Sequence, residues 1–188
     1  KNSFGGREIN GFSLGDLNKP TIHIEGNIHG AHEWRTVHWV KGFMESLVTP
    51  PSEQREIIEH LKSKYSFFFI PSVNPDGYVN NTYTNDNNVS IDRNFDFLWE
   101  QTEEYQFPDT QERWKGPHPF SEPEAQNIRD AVLEFKPISL VDCHTWGQNQ
   151  GFTIRRHYNN GTYTTLFDDY YKSLTVSCLP GDFPDSRF

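Results

Sequence analysis

The sequence predicts an α/β fold, a three-layer sandwich in which helices cover both sides of a mixed, mostly parallel central sheet. Apolar runs of strand length alternate along the chain with stretches whose apolar residues recur every three or four positions, the pattern of a sheet crossed over by helices. Two histidines, His29 and His144, each stand directly after a predicted strand. Ligands of such sheets bind beyond the carboxyl ends of the strands, so both histidines fall where a site is expected.

The 188 residues suit one domain over 1–188, and a compact chain of this length buries roughly 70% of its extended surface. Hydrophobic residues make up only 34% but aromatics reach 15%, so large rings must fill much of the core. The net charge of −9 argues against a nucleic-acid partner, which needs clustered Lys and Arg to displace counterions. No apolar run approaches the ~20 residues of a membrane span, and none is expected to cross a bilayer. Cys143 and Cys178 both lie in apolar, strand-like stretches, where buried free thiols are at least as expected as a disulfide.

Pro20 to Ile28 alternates in character and reads as a strand delivering His29 to its end. From Glu33 to Leu47 the residues Trp34, Val37, Val40, Phe43, Met44 and Leu47 mark one apolar helix face, and Pro50-Pro51 stops it. A second helix is predicted over 53–62 and a strand, covered on both faces, over 65–73. Asn74-Pro75-Asp76-Gly77 reads as a turn, and the Asn-rich stretch from Tyr78 to Ser90 as a surface loop. Ser121-Glu122-Pro123-Glu124 has the spacing of a capping box with proline in the first turn, opening a helix that runs to Phe135. Ile138 to Asp142 is a short buried strand, 151–156 a further strand, and 163–174 a helix leading into an apolar stretch at 175–178.

His29 and Glu33 lie four apart at a strand-to-helix junction, and His144 can complete an open zinc site. Zinc accepts imidazole nitrogen and carboxylate oxygen at about 2.0–2.2 Å, and three protein ligands leave a position for water. The chain has eight histidines, so His29, His32 and His38 also read as two surface residues and one residue on a helix face.

Gly26-Asn27-Ile28-His29-Gly30-Ala31-His32-Glu33-Trp34 resembles the zinc-binding segment of the M14 metallocarboxypeptidases, relatives of carboxypeptidase A. In the same order come Ser3-Phe4-Gly5-Gly6-Arg7, Asn74-Pro75-Asp76-Gly77, Arg93-Asn94-Phe95-Asp96, Gly116-Pro117 through Glu124, and Asp142-Cys143-His144-Thr145-Trp146. The resemblance implies a single zinc ion on His29, Glu33 and His144, a peptide substrate with a free C-terminus, and hydrolysis by metal-activated water. The first two ligands are one residue further apart than the family's usual spacing. Aligning on Glu33-Trp34 makes Glu33 the ligand and puts His32 where an arginine often sits in the family; aligning from His29 makes His32 the ligand. A carboxylate at a helix N-terminus favours Glu33.

Arg93 matches the family's arginine that grips the substrate carboxylate, a task suited to a planar guanidinium with two parallel donors. Its bland reading is a surface arginine paired with Asp92 or Asp96. Asn94 follows in the family pattern, and Asp92 stands where asparagine is common, placing a negative charge beside a carboxylate site. Thr145 and Trp146 match a small hydroxyl residue and an aromatic joined by a cis peptide, and the same bond is expected here; Trp146 also reads as core. Between Gly77 and Arg93 there is no Arg or Lys, although the family places there an arginine that polarises the scissile carbonyl.

The family's general-base glutamate and mobile-loop tyrosine are expected beyond Phe188, because no glutamate follows His144, and a helix and strand are expected ahead of Gly6-Arg7. The chain therefore reads as a partial catalytic domain, incomplete at both ends. The leading expectation is a zinc metallocarboxypeptidase; the alternatives are a related zinc amidase or deacylase, or a non-catalytic binding module on the same fold.

Overall fold

A computed structural model describes residues 1–101 and 114–145. Four strands form one sheet in the order β1-β3-β2-β4: β1 (Phe12–Leu14), β2 (Thr21–Gly26), β3 (Ser66–Ile70) and β4 (Ser139–Cys143). The two central pairings are parallel, β2 with β3 and β2 with β4, while β1 runs antiparallel along β3. The sheet is thus mixed and mostly parallel, as expected. β1 was not anticipated, since three edge residues carry too short an alternation to stand out.

Helix α1 (Trp34–Val48) and α2 (Arg55–Lys64) cover one side of the sheet, and α4 (Pro123–Phe135) covers the other. Beneath α1 and α2, Ile24, Val40, Leu47, Ile58, Phe67, Phe69 and Cys143 form one core. Against α4, Ile28, Ile70, Val73, Ile91, Ala125 and Ile128 form another, with Phe68 stacked on Phe135 at 4.2 Å. The alternation of β3 explains the division: Phe67 and Phe69 point one way, Phe68 and Ile70 the other. Trp34, expected on the apolar face of α1, is instead 46% exposed. It opens the helix, where its ring meets His38 edge-on and lies under the Arg35 guanidinium.

Two further expectations are corrected. Asn74-Pro75-Asp76-Gly77 does turn the chain, but as the first turn of a short helix, α3 (Pro75–Asn80). Proline occupies its first turn and the Asn74 side chain accepts from the Gly77 amide at 2.9 Å, so the same residues cap a helix rather than reverse a strand. The capping box at Ser121 does not form; Glu122 is the residue before α4 and no side chain caps it. Ser121 donates to Glu122 and accepts from Asn94, while Glu124 accepts from the Phe4 amide and from Asn85, so tertiary partners outcompete the local pair.

No helix of the described residues is long and apolar enough to cross a membrane. Cys143 is a buried free thiol, pushed up to about 12 by burial and by the nearby acids Asp142, Glu25 and Glu33. Trp146, Cys178, the expected 151–156 strand and the 163–174 helix lie outside the described residues, as does the expected cis bond between Thr145 and Trp146.

Candidate metal centre

Beyond the carboxyl end of β2 the chain enters a tight 3-10 turn, Gly30–Glu33, that leads directly into α1. The turn is fixed from both flanks. Thr36, in the first turn of α1, donates to the Glu33 carbonyl at 2.7 Å and accepts from the Asn27 amide at 2.7 Å. On the other side the Ala31 amide donates to the Thr82 carbonyl at 3.0 Å. Gly30 has φ +52, and a Cβ there would meet Thr82 O at 2.2 Å and the backbone of Gly77 at 2.8 Å. Only glycine permits this approach.

The turn aims His29 and Glu33 at the same point, and β4 brings His144 to it. One ligand atom from each of the three lies within 4.8 Å of the other two. His144 Nδ1 is 2.8 Å from Glu33 Oε1, and the two imidazole centroids are 5.2 Å apart. His29 and Glu33 are buried, and His29 Nδ1 is buried without a hydrogen-bond partner. A buried nitrogen lone pair beside a buried carboxylate is a polar group lacking its counterpart, and a zinc-type cation is a counterpart these donors fit.

The outward nitrogens of both rings are occupied. His29 Nε2 is 3.1 Å from the Tyr83 hydroxyl and 3.9 Å from Asp92 Oδ2, with the Tyr83 ring stacked on the imidazole at 4.2 Å. His144 Nε2 is 2.7 Å from Asp142 Oδ2. Burial depresses His29 against the pull of Asp92 and Glu33. Burial also opposes the charge on His144, but its hydrogen bonds to Asp142 and Glu33 prevail and raise it to about 10. Glu33 gathers further donors: the His29 amide at 3.4 Å and the Thr145 amide at 3.3 Å.

Among the remaining predicted site residues, His32 is exposed; its ring leans edge-on against Tyr83, and its carbonyl accepts from the Thr145 hydroxyl at 3.1 Å. Its imidazole is not in the metal group, whose carboxylate is Glu33. Asp92 is held by Ser90 at 2.6 Å and turns its other oxygen toward His29. Arg93 ends the 3-10 turn Ile91–Arg93, and its Nε is buried without a hydrogen-bond partner. Asn94 is fully buried, with its carboxamide committed to Lys115 O, His118 O, Ser121 Oγ and the Glu122 amide. Its carboxamide thereby ties the 115–122 segment to the end of the turn that carries Arg93. Sequence reasoning missed Tyr83 and Asp142; the only signal for either was proximity in sequence, Asp142 standing two residues before His144.

Fold and site together define a class: an α/β protein with an open two-histidine, one-carboxylate group at the carboxyl edge of its sheet. The zinc carboxypeptidase family matches residues 2–173. The chain is 30% identical over 151 residues to a carboxypeptidase B of Astacus astacus, covering 71% of this chain and 48% of that protein. It is 31% identical over 172 residues to an inactive metallocarboxypeptidase of Ajellomyces capsulatus, covering 78% of this chain and 28% of that protein. Its fold superimposes on the crystal structure of a carboxypeptidase A from Helicoverpa armigera with a TM-score of 0.63 at 24% identity, over 78% of this chain and 39% of that one. The chain thus spans half or less of the length of these relatives. It belongs to the M14 zinc carboxypeptidase family.

Proposed function

We propose that the chain forms part of a zinc metallocarboxypeptidase that hydrolyses the C-terminal peptide bond of peptides. The observation that carries this reading is the convergence of His29, Glu33 and His144 within 4.8 Å in a chain of the zinc carboxypeptidase family. These three residues would hold one zinc ion, which when bound supplies Lewis-acid polarisation of the scissile carbonyl and of the attacking water. Arg93 would grip the substrate's terminal carboxylate and so select a free chain end; its unpartnered Nε is consistent with a guanidinium awaiting an anion. Asp92 sits next to it but leans toward His29, which lessens the repulsion that a carboxylate beside Arg93 would impose on substrate. Thr145 anchors the ligand turn through His32 O and, with His32 and Trp146, is assigned to substrate binding.

A second reading, a binding module on the same fold, is favoured by one specific observation. The segment between Gly77 and Arg93 contains no Lys or Arg to stabilise an oxyanion, and loss of one such donor typically lowers the rate about 10²–10³-fold. Similarity to a relative named inactive agrees with it.

Zinc content of the full-length protein, followed by release of C-terminal amino acids from a peptide panel with and without chelator, separates the two readings. The proposal expects one zinc per chain and turnover that is lost with chelator and in Glu33→Ala. Bound zinc without turnover would establish the binding module instead.

A further inference from the structure

The proposed ligand group takes one nitrogen from each imidazole, and Nε2 of His144 is held by a residue with no role assigned so far. His144 Nε2 lies 2.7 Å from Asp142 Oδ2, within the range of charge-assisted hydrogen bonds, about 2.7–2.9 Å. Asp142 and His144 stand two apart at the end of β4, so their side chains leave the backbone on the same side. The other nitrogen, Nδ1, is the one that meets Glu33 at 2.8 Å and faces the ligand group.

A neutral imidazole carries one proton on one of its two nitrogens. A carboxylate can only accept, so it fixes the proton on the nitrogen it touches and leaves the lone pair on the other. Without a cation Nδ1 also meets a carboxylate, Glu33 at 2.8 Å. With a cation between them Glu33 would serve as a ligand instead of an acceptor, and Asp142 would keep the single proton of the neutral ring on Nε2, leaving the lone pair on Nδ1 toward the cation. The comparison with His29 is informative: its Nε2 is engaged by Tyr83 at 3.1 Å while its Nδ1 is buried and free. In both rings Nε2 is the nitrogen engaged by an outer partner, Tyr83 for His29 and Asp142 for His144.

Asp142 has few competing partners. Its register neighbour across the sheet is Glu25 of β2, which is buried and lies 3.0 Å from His23 Nε2 in a close contact that is not aligned as a hydrogen bond. Asp142 Oδ1 is buried with no hydrogen-bond partner. The carboxylate therefore has a single strong outlet, the imidazole of His144, and little reason to rotate away from it. A polar column, His23, Glu25, Asp142, His144, runs from within the sheet to the ligand group.

We propose that Asp142 is a positioning residue for the metal centre: by accepting from Nε2–H of His144 it fixes the tautomer and ring orientation that present Nδ1 to the cation. This rests on the zinc reading of His29, Glu33 and His144. Outer partners of metal-ligating histidines act in this way, and their removal typically weakens metal binding about 10–100-fold.

The test measures zinc affinity of the full-length protein by competition with a chromophoric chelator, for wild type, Asp142→Ala and the isosteric Asp142→Asn, with folding of each metal-free protein checked by circular dichroism. The expected result is a folded Asp142→Ala with zinc affinity about 10–100-fold weaker, and a smaller loss in Asp142→Asn, whose amide oxygen can still accept. Long-range ¹⁵N–¹H spectra of the zinc-loaded wild type should place the His144 proton on Nε2, a signature that a purely structural ion pair has no need to produce. Wild-type zinc binding left within twofold in both variants, or a proton found on Nδ1, overturns the inference and leaves the zinc reading standing. Failure of the wild type itself to bind zinc overturns the zinc reading, and this inference with it.

Discussion

On the side of the sheet beneath α1 and α2, the strands present Ile24, Phe67, Phe69 and Cys143 to Val40, Leu47 and Ile58. On the side of α4 the same strands present His23, Glu25 and Asp142, and α4 itself opens with the buried acids Glu122 and Glu124. β2 contributes to both, Ile24 one way and His23 and Glu25 the other, through the two-residue period of a strand. One side is a conventional apolar core; the other mixes apolar packing with buried ionisable groups, of which Asp142 contacts the candidate metal ligand His144. The stabilising task and the chemical task are thus divided between alternate residues of one strand. Substitutions on the first side should change stability alone, and those on the second should add sensitivity to pH or metal.

The largest expected effect belongs to the apolar side. Phe69→Ala removes a fully buried ring that packs against Phe67 and Phe43 and should lower unfolding free energy by about 3–5 kcal/mol, read from denaturant melts. Zinc affinity of the fraction that remains folded should not change; if it does, the division between the sides is wrong.

Glu124 tests the other side. Burial, reinforced by nearby Asp76, raises its carboxyl to about 7 from an ordinary 4.5, against the hydrogen bonds from Phe4 and Asn85. Between those two values the folded protein keeps a proton that the unfolded chain has released. Stability is therefore full below about 4.5 and declines as pH rises toward 7, by about 3 kcal/mol at one pH unit per 1.36 kcal/mol. Glu124→Gln should flatten that slope in unfolding measured across the same window. A slope unchanged by the substitution would remove Glu124 from the account.

The smallest effect is expected outside both sides. Lys41 and Glu45 form an exposed pair one helical turn apart on α1, 3.8 Å between charges, and Lys41→Ala should shift unfolding free energy by less than about 1 kcal/mol. A larger loss would mean that α1 depends on its wet face as well as on Val40 and Leu47.

Much of this was legible in the sequence, and the physical reasons differ by element. α1 and β3 announced themselves because their apolar patterns are long and regular, and His29, Glu33 and His144 because their places at strand ends coincide with motifs that resemble the family's. The limits came where partners are distant. Ser121 and Glu124 have the spacing of a cap, yet they bond to Asn94, Asn85 and Phe4, none of which is near them in sequence. The hydrogen bonds of Asn94 to carbonyls 21 and 24 residues away could not be seen from its place after Arg93. Tyr83 lies in an Asn-rich stretch that reads as plain surface, although its ring covers His29, 54 residues earlier.

The contact of Gly30 with Thr82 and Gly77 ties two evolutionary variables together. Because three backbones meet there with no room for a methyl group, the length of the 78–90 loop and the path of the ligand-bearing turn cannot drift apart. A relative that lengthens or trims that loop must re-seat the first histidine as well, so indels in one segment should be accompanied by compensating changes in the spacing between residues 29 and 33.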